Sequence, residues 1–208
     1  NYIINDIIDR KKDKEHPEKK LRPIASNKVK LGEATTIALI VGIASLLIAY
    51  YISPQFLFAM VLLFILTLLY SLYLKKVLFL DIIIISTNFA IRAVSGTFII
   101  ERILSPWLIL CPFFLALFLV VGKRHADLEI LGEKAYKHKG VLKHYTPEIN
   151  KMLMIISTTV LIVCYSLFAF LGEHKKLLLT IPFALYAVLR YLFLVYTSSE
   201  IARNPHLI

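Results

Sequence analysis

Three aspartates near the N-terminus, Asp6, Asp9 and Asp13, stand at offsets of three and four. On a helix that spacing stacks their carboxylates along one face over about two turns. Three like charges on one face repel. At the cytoplasmic end of a helix leaving a membrane they would also meet the negative end of its dipole, where anions are disfavoured. A cation must offset this. All-oxygen ligands suit Mg²⁺, with Mn²⁺ accepting the same donors; Mg²⁺ keeps several waters and is commonly held by one or two carboxylates plus substrate phosphates. Asn5 stands directly before the first acid, and a basic run through Lys19 and Arg22 follows the last. Those two are candidates to hold the rest of a polyphosphate. The alternative is an ordinary charged juxtamembrane segment whose aspartates pair with neighbouring lysines. Asp13 is expected nearest bulk water, and to matter least of the three.

Positioning such a site falls to membrane helices. The chain has 208 residues, 58% hydrophobic and only 18% charged, with a mean hydropathy of +0.72. A soluble domain of this size cannot bury so much apolar sequence. Apolar runs at 33–52, 55–74, 79–100, 105–122, 149–171 and 177–197 are each about long enough to cross a bilayer. The expectation is an all-α, multi-pass bundle forming one domain over residues 1–208, with six complete spans. Ser53-Pro54, Lys75-Lys76, Ser105-Pro106 and Gly172-Glu173 break the runs, while Pro112 and Pro182 fall inside them. Cys111 and Cys164 both lie within apolar runs, which excludes a disulfide framework or a cysteine metal motif. The net charge of +10 is spread over short gaps between spans, so the pattern is topological and argues against a nucleic-acid partner. The chain opens on Asn1, without an initiator Met or a signal peptide, and reads as a fragment.

The positive charges orient the bundle. Lysines and arginines crowd the segment 10–30, the gap at Lys75-Lys76 and the loop 123–148, whereas alternate gaps hold only Arg102, Lys175 and Lys176. The first set is cytoplasmic. Polar segments 8–32 and 123–148 therefore share one side of the membrane, separated by an even number of spans. In the second segment Asp127 would share a helical face with Lys123, Arg124 and Lys134, which resembles a phosphate site more than a second metal cluster. Charge topology alone also explains a Lys-Arg pair there. His125 is expected as a solvated surface histidine.

Within the spans, Asp81, Asn88 and Arg92 recur at offsets of seven and four, forming one stripe continued by Ser95 and Gly96. Ionisable groups at such depth are costly and normally face a bundle interior or cavity. Asp81 is near the cytoplasmic end, where pairing with Lys75 or Lys76 competes with a functional role; a buried salt bridge competes for Arg92 and for Arg190. Tyr70 and Tyr73 sit where belt aromatics are the default.

Asn5-Asp6-x-x-Asp9-x-x-x-Asp13, followed by His16-Pro17 and Arg22-Pro23, resembles the first signature of the UbiA superfamily of intramembrane prenyltransferases. The resemblance implies that Asn5, Asp6, Asp9 and Asp13 bind Mg²⁺ and a substrate diphosphate, with the three aspartates as metal ligands and catalytic residues. Tyr70-Ser71 with Leu74-Lys75, then Asp81, Arg92 and Gly96, Gly-Lys-Arg-x-x-Asp-Leu from Gly122, and Leu142-x-x-Tyr145-Thr146 are together similar to its decaprenyl-phosphate phosphoribosyltransferase branch. That implies transfer of 5-phosphoribosyl from phosphoribosyl diphosphate to a polyprenyl phosphate, with release of diphosphate, at a plasma-membrane site facing the cytoplasm and serving cell wall biosynthesis. It adds Tyr70, Lys75, Asp81, Arg92, Lys123, Arg124, Asp127 and Tyr145 to Lys19 and Arg22 as substrate contacts. Two departures stand out. Typical members carry a second aspartate-rich motif for an allylic diphosphate, where this chain is basic, and nine spans, of which the first, most of the second and the last are missing here. Two rivals remain: prenyl transfer from an allylic diphosphate to an aromatic acceptor, and a transporter using Asp81, Asn88 and Arg92 as an ion path.

Overall fold

The computed structural model describes residues 2–15, 19–100, 104–131, 140–172 and 175–197. Among these are seven α-helices: α1 Tyr2–Glu15, α2 Leu31–Ile52, α3 Pro54–Leu72, α4 Leu80–Thr97, α5 Pro106–Leu131, α6 Pro147–Leu171 and α7 Ile181–Thr197. Short 3-10 turns at Lys19–Leu21, Leu74–Lys76, Gly140–His144 and Lys175–Thr180 complete the described secondary structure. Six segments are long and apolar enough to cross a membrane, as the runs predict. The 22 residues of α2 reach about 33 Å at about 1.5 Å per residue, enough for a hydrocarbon core of about 30 Å.

Local chemistry sets the helix ends. Ser53 Oγ accepts the Phe56 amide at 3.0 Å, and Pro54 opens α3 where a missing N–H costs nothing. Thr146 and Pro147 repeat the device at the start of α6, with the Ile149 amide 3.3 Å from the Thr146 hydroxyl. The Lys30 amide donates to Glu33 at the start of α2. At the entry to α4 the chain does something costlier: Phe79 sits at φ 64°, in the left-handed region that a bulky residue rarely adopts. Its ring meets the Tyr145 ring edge-on.

Sequential helices pack as neighbours, α2 on α3, α3 on α4 and α4 on α5, after which α5 packs on both α6 and α7. The core forms at the end of the bundle where α4 begins and α5 ends; Ile82, Phe118, Val121, Leu142, Tyr145 and Met154 are all buried there. Helix α1 packs on α2 and α3, and the Leu74–Lys76 turn contacts the Gly140–His144 turn.

Gly122 lets α5 and α7 touch. A Cβ there would lie 2.9 Å from the Tyr191 hydroxyl and 3.2 Å from Val195 Cγ2. Gly122→Ala is therefore expected to wedge α7 off α5 and cost about 1–3 kcal/mol of stability, the usual range for overpacking, read as a lowered unfolding midpoint in detergent.

Candidate functional site

Asp6, Asp9 and Asp13 share the covered side of α1, while Lys11, Lys12 and Lys14 are exposed on the other. Asp13 is the most buried of the three, at 4% exposure. The expectation that it borders bulk water is therefore corrected. The chain beyond α1 folds back over it, and Arg22 closes the gap: one guanidinium nitrogen, Nη1, donates to Asp6 Oδ1 at 2.6 Å and to Asp13 Oδ2 at 2.9 Å. The ammonium of Lys75, between α3 and α4, donates to both oxygens of Asp9 at 2.5 and 2.8 Å. The aspartates thus pair with cations far away in sequence and not with neighbouring lysines. Ser71 donates to Asn5 at 3.0 Å, tying α1 to α3, and Arg10 donates to Asn27 at 2.7 Å, which pins the returning chain at a residue with φ 61°.

Charge in this cluster is incompletely balanced. Burial pushes the Asp6 carboxyl above its ordinary range; Arg22 pulls it down, and Asp13 and Asp9 push it up again. Among the described residues no three of His, Cys, Asp or Glu converge closely enough to hold a metal as they stand. The donor set still fits one. Mg²⁺ needs only one or two carboxylates when phosphate and water complete its shell, and Asp6 and Asp13 already flank a single cationic nitrogen.

A second cluster lies under the first. Asp81, fully buried at the start of α4, accepts a 2.6 Å hydrogen bond from the Tyr145 hydroxyl. Arg124 Nε, from α5, stands 3.3 Å from the other Asp81 oxygen, and Arg124 Nη1 is 3.8 Å from Asp127. The Tyr70 hydroxyl lies within electrostatic reach of Arg124 and Asp81. Burial first, then the hydrogen bond to Asp81, push the Tyr145 hydroxyl well above its ordinary range, so it stays a donor. Two expectations change. Asp81 is not paired with Lys75, which is engaged by Asp9, and Tyr70 is not a membrane-belt aromatic; Tyr73, exposed, keeps that position.

Other expected residues fall elsewhere. Arg92 is exposed, its guanidinium carbon 5.8 Å from the Phe89 ring centre, and so is Arg190; neither makes the buried salt bridge considered for it. Asn88 donates to Thr67 at 3.3 Å, a contact between α4 and α3. His125 is not a solvated histidine: it packs edge-on against Tyr196 and its Nε2 is 3.4 Å from Glu129. Lys19 and Lys123 are both exposed, and Lys19 lies within electrostatic reach of Asp6. His16, Pro17, Arg102 and Lys134 lie outside the described residues. Residues missed from sequence are Asn27 and Phe79, whose roles follow from backbone conformations that no spacing reveals.

The model of the UbiA prenyltransferase family matches residues 1–205. The chain belongs to that family. Being a UbiA protein with six apolar helices, it is an integral membrane protein. It is 34% identical over 203 residues to the decaprenyl-phosphate phosphoribosyltransferase of Mycolicibacterium smegmatis, an alignment covering 91% of this chain and 64% of the relative. It is 29% identical over 211 residues to the enzyme of that name from Corynebacterium glutamicum, covering 91% and 60%. The chain thus spans less than two thirds of the length of these relatives. A UbiA homologue from Archaeoglobus fulgidus, solved with GPP and Mg²⁺, superposes with a TM-score of 0.78 at 19% identity, covering 97% of this chain and 78% of that one. At that identity the likeness shows the fold.

Proposed function

We propose that this UbiA domain moves a 5-phosphoribosyl group from phosphoribosyl diphosphate to a polyprenyl phosphate such as decaprenyl phosphate, releasing diphosphate, with Mg²⁺ or Mn²⁺ at Asp6, Asp9 and Asp13. Residues 1–208 form one domain in this reading, with segments 8–32 and 123–148 in the cytoplasm. The observation that carries it is the character of the second polar cluster, where Asp127 and Asp81 are both engaged with Arg124, while Lys123, the next residue along α5, is exposed. A second diphosphate–metal site would want uncommitted carboxylates. A donor bearing a 5-phosphate in addition to its diphosphate wants fixed cations.

In the reaction, a phosphate oxygen of the lipid bonds to C1 of the ribose as the bond from C1 to the diphosphate oxygen breaks, and the bonding pair leaves with diphosphate. A bound divalent ion would supply charge stabilisation to that leaving group. The lipid phosphate is already an anion at neutral pH, so no strong general base is needed and positioning carries much of the rate. Asp6, Asp9 and Asp13 hold the cation; Lys19, Arg22, Lys75 and Lys123 hold phosphates; Asn5, fixed by Ser71, orients the start of the acid face. Asp81, Tyr145, Tyr70 and Arg124 fix the floor of the site.

Competition tests the donor. Ribose 5-phosphate should compete with phosphoribosyl diphosphate for the protein, and Lys123→Ala should weaken donor binding by about 1.5–3 kcal/mol, the range for hydrogen bonds to charged groups, with lipid binding little changed. Equal displacement by plain diphosphate, with no contribution from the 5-phosphate, would count against the phosphoribosyl assignment. Sidedness is checked by cysteine labelling: thiols at Lys19 and Lys143 should react with an impermeant reagent from the cytoplasmic face, and one at Lys175 from the other. Labelling of Lys19 and Lys143 from opposite faces would break the shared site.

A further inference from the structure

We infer that Arg22 and Lys75 are exchange residues: without ligands they neutralise the aspartates, and they pass to the diphosphate when a metal takes the carboxylates, so that metal and diphosphate bind cooperatively. This rests on the metal–diphosphate reading above and deepens it. Three carboxylates form ion pairs with Arg22 and Lys75, and Lys19 also draws on Asp6. A divalent cation added while both remain in place would compete with them for the same carboxylate oxygens and be repelled by their charge. Binding diphosphate to Arg22 and Lys75 alone would strip the carboxylates of partners and set them against a polyanion. Each ligand by itself is opposed; with both present the metal faces the carboxylates and the two side-chain cations face the diphosphate. Thermodynamic reciprocity then requires that each raise the affinity of the other by the same factor.

The geometry suits exchange more than a fixed brace. Arg22 reaches both Asp6 and Asp13 through the same nitrogen, Nη1, so its two-pronged fork grips neither carboxylate. Its side chain is 36% exposed, at the open rim of the site. Lys75 is more enclosed at 14%, but an ammonium on a flexible stem reorients without the geometric demands of a guanidinium. The buried pair of Asp81 with Arg124, by contrast, is a brace, with side-chain exposures of 0% and 8%.

The test measures binding and needs no turnover. Mn²⁺ affinity of the full chain in lipid nanodiscs is followed by electron paramagnetic resonance, with and without inorganic pyrophosphate, in the parent and in Arg22→Gln, Lys75→Gln and Arg22→Lys. In the parent, pyrophosphate should tighten Mn²⁺ by a factor on the order of 5–150, the usual span of coupling between sites. In either Gln variant Mn²⁺ alone should bind more tightly than in the parent and the gain from pyrophosphate should shrink. Arg22→Lys should keep much of the coupling. Mn²⁺ binding that ignores pyrophosphate in the parent, or that weakens in both Gln variants, would overturn the exchange and leave the metal site standing. Failure to bind Mn²⁺ under either condition would overturn both.

Discussion

Asp6→Asn and Asp9→Asn are each expected to lower kcat/KM by about a thousandfold, because charge stabilisation worth several kcal/mol is lost when a carboxylate ligand is neutralised. Asparagine keeps the shape and one acceptor oxygen but removes the charge that holds a hard cation. The loss should fall on kcat and kcat/KM alike, the pattern of an interaction realised in the transition state. Asp13→Asn belongs in the same class. It is buried and shares Arg22 Nη1 with Asp6, so it is part of the ligand set and not a solvent-facing neighbour. Raising Mn²⁺ or Mg²⁺ should partly rescue Asp13→Asn before the other two, since two carboxylates suffice when phosphates complete the shell. Full activity of folded Asp6→Asn in the presence of EDTA would remove the metal from the account.

Asp81→Ala is expected to cost about 3–5 kcal/mol of stability, because it leaves the Arg124 guanidinium buried with one of its two acids gone. It also leaves the Tyr145 hydroxyl without its acceptor, and the turn Gly140–His144 is held to α4 through that residue. Tyr145→Phe removes only the hydroxyl and should cost about 1.5–3 kcal/mol, the range for a hydrogen bond to a charged group. Asp81→Asn combined with Tyr145→Phe should be non-additive, since the two share one bond. Arg124→Ala should act the same way, lowering stability before it touches donor affinity. An Asp81→Ala protein that melts like the parent, but has lost donor binding, would recast Asp81 as a ligand contact.

How far these clusters could be read ahead of the structure depends on the range of the contacts involved. The six spans are legible because length and hydropathy act locally; their starts shift by a few residues because Pro54, Pro106 and Pro147 open helices, two of them behind the hydroxyl caps Ser53 and Thr146. The acid face is legible for the same reason: three- and four-residue offsets fix which side chains align once a helix forms. Its partners are not. Arg22 and Lys75 reach it by a reversal of the chain and by helix packing across 66 positions, which no spacing encodes. The stripe from Asp81 to Arg92 is instructive. Offsets of seven and four do place these residues on one face, but that face is sealed by α5 and by Tyr145 at Asp81 and is open by Arg92. Periodicity gives direction around a helix, while burial depends on what neighbours supply at each height along it. The place of Tyr70 before Lys75 points to the membrane interface, yet its hydroxyl lies within reach of Arg124 and Asp81 inside the bundle.

The central claim, phosphoribosyl transfer to a lipid phosphate, is tested most directly by a choice of donors. Membranes containing the full-length protein are given decaprenyl phosphate with labelled phosphoribosyl diphosphate, or an aromatic acceptor with labelled geranyl diphosphate, each with Mg²⁺. The expected result is a labelled lipid carrying ribose 5-phosphate in the first case, lost on adding EDTA and in Asp6→Asn, and no product in the second. Prenylation of the aromatic acceptor, with phosphoribosyl diphosphate left untouched, would contradict it.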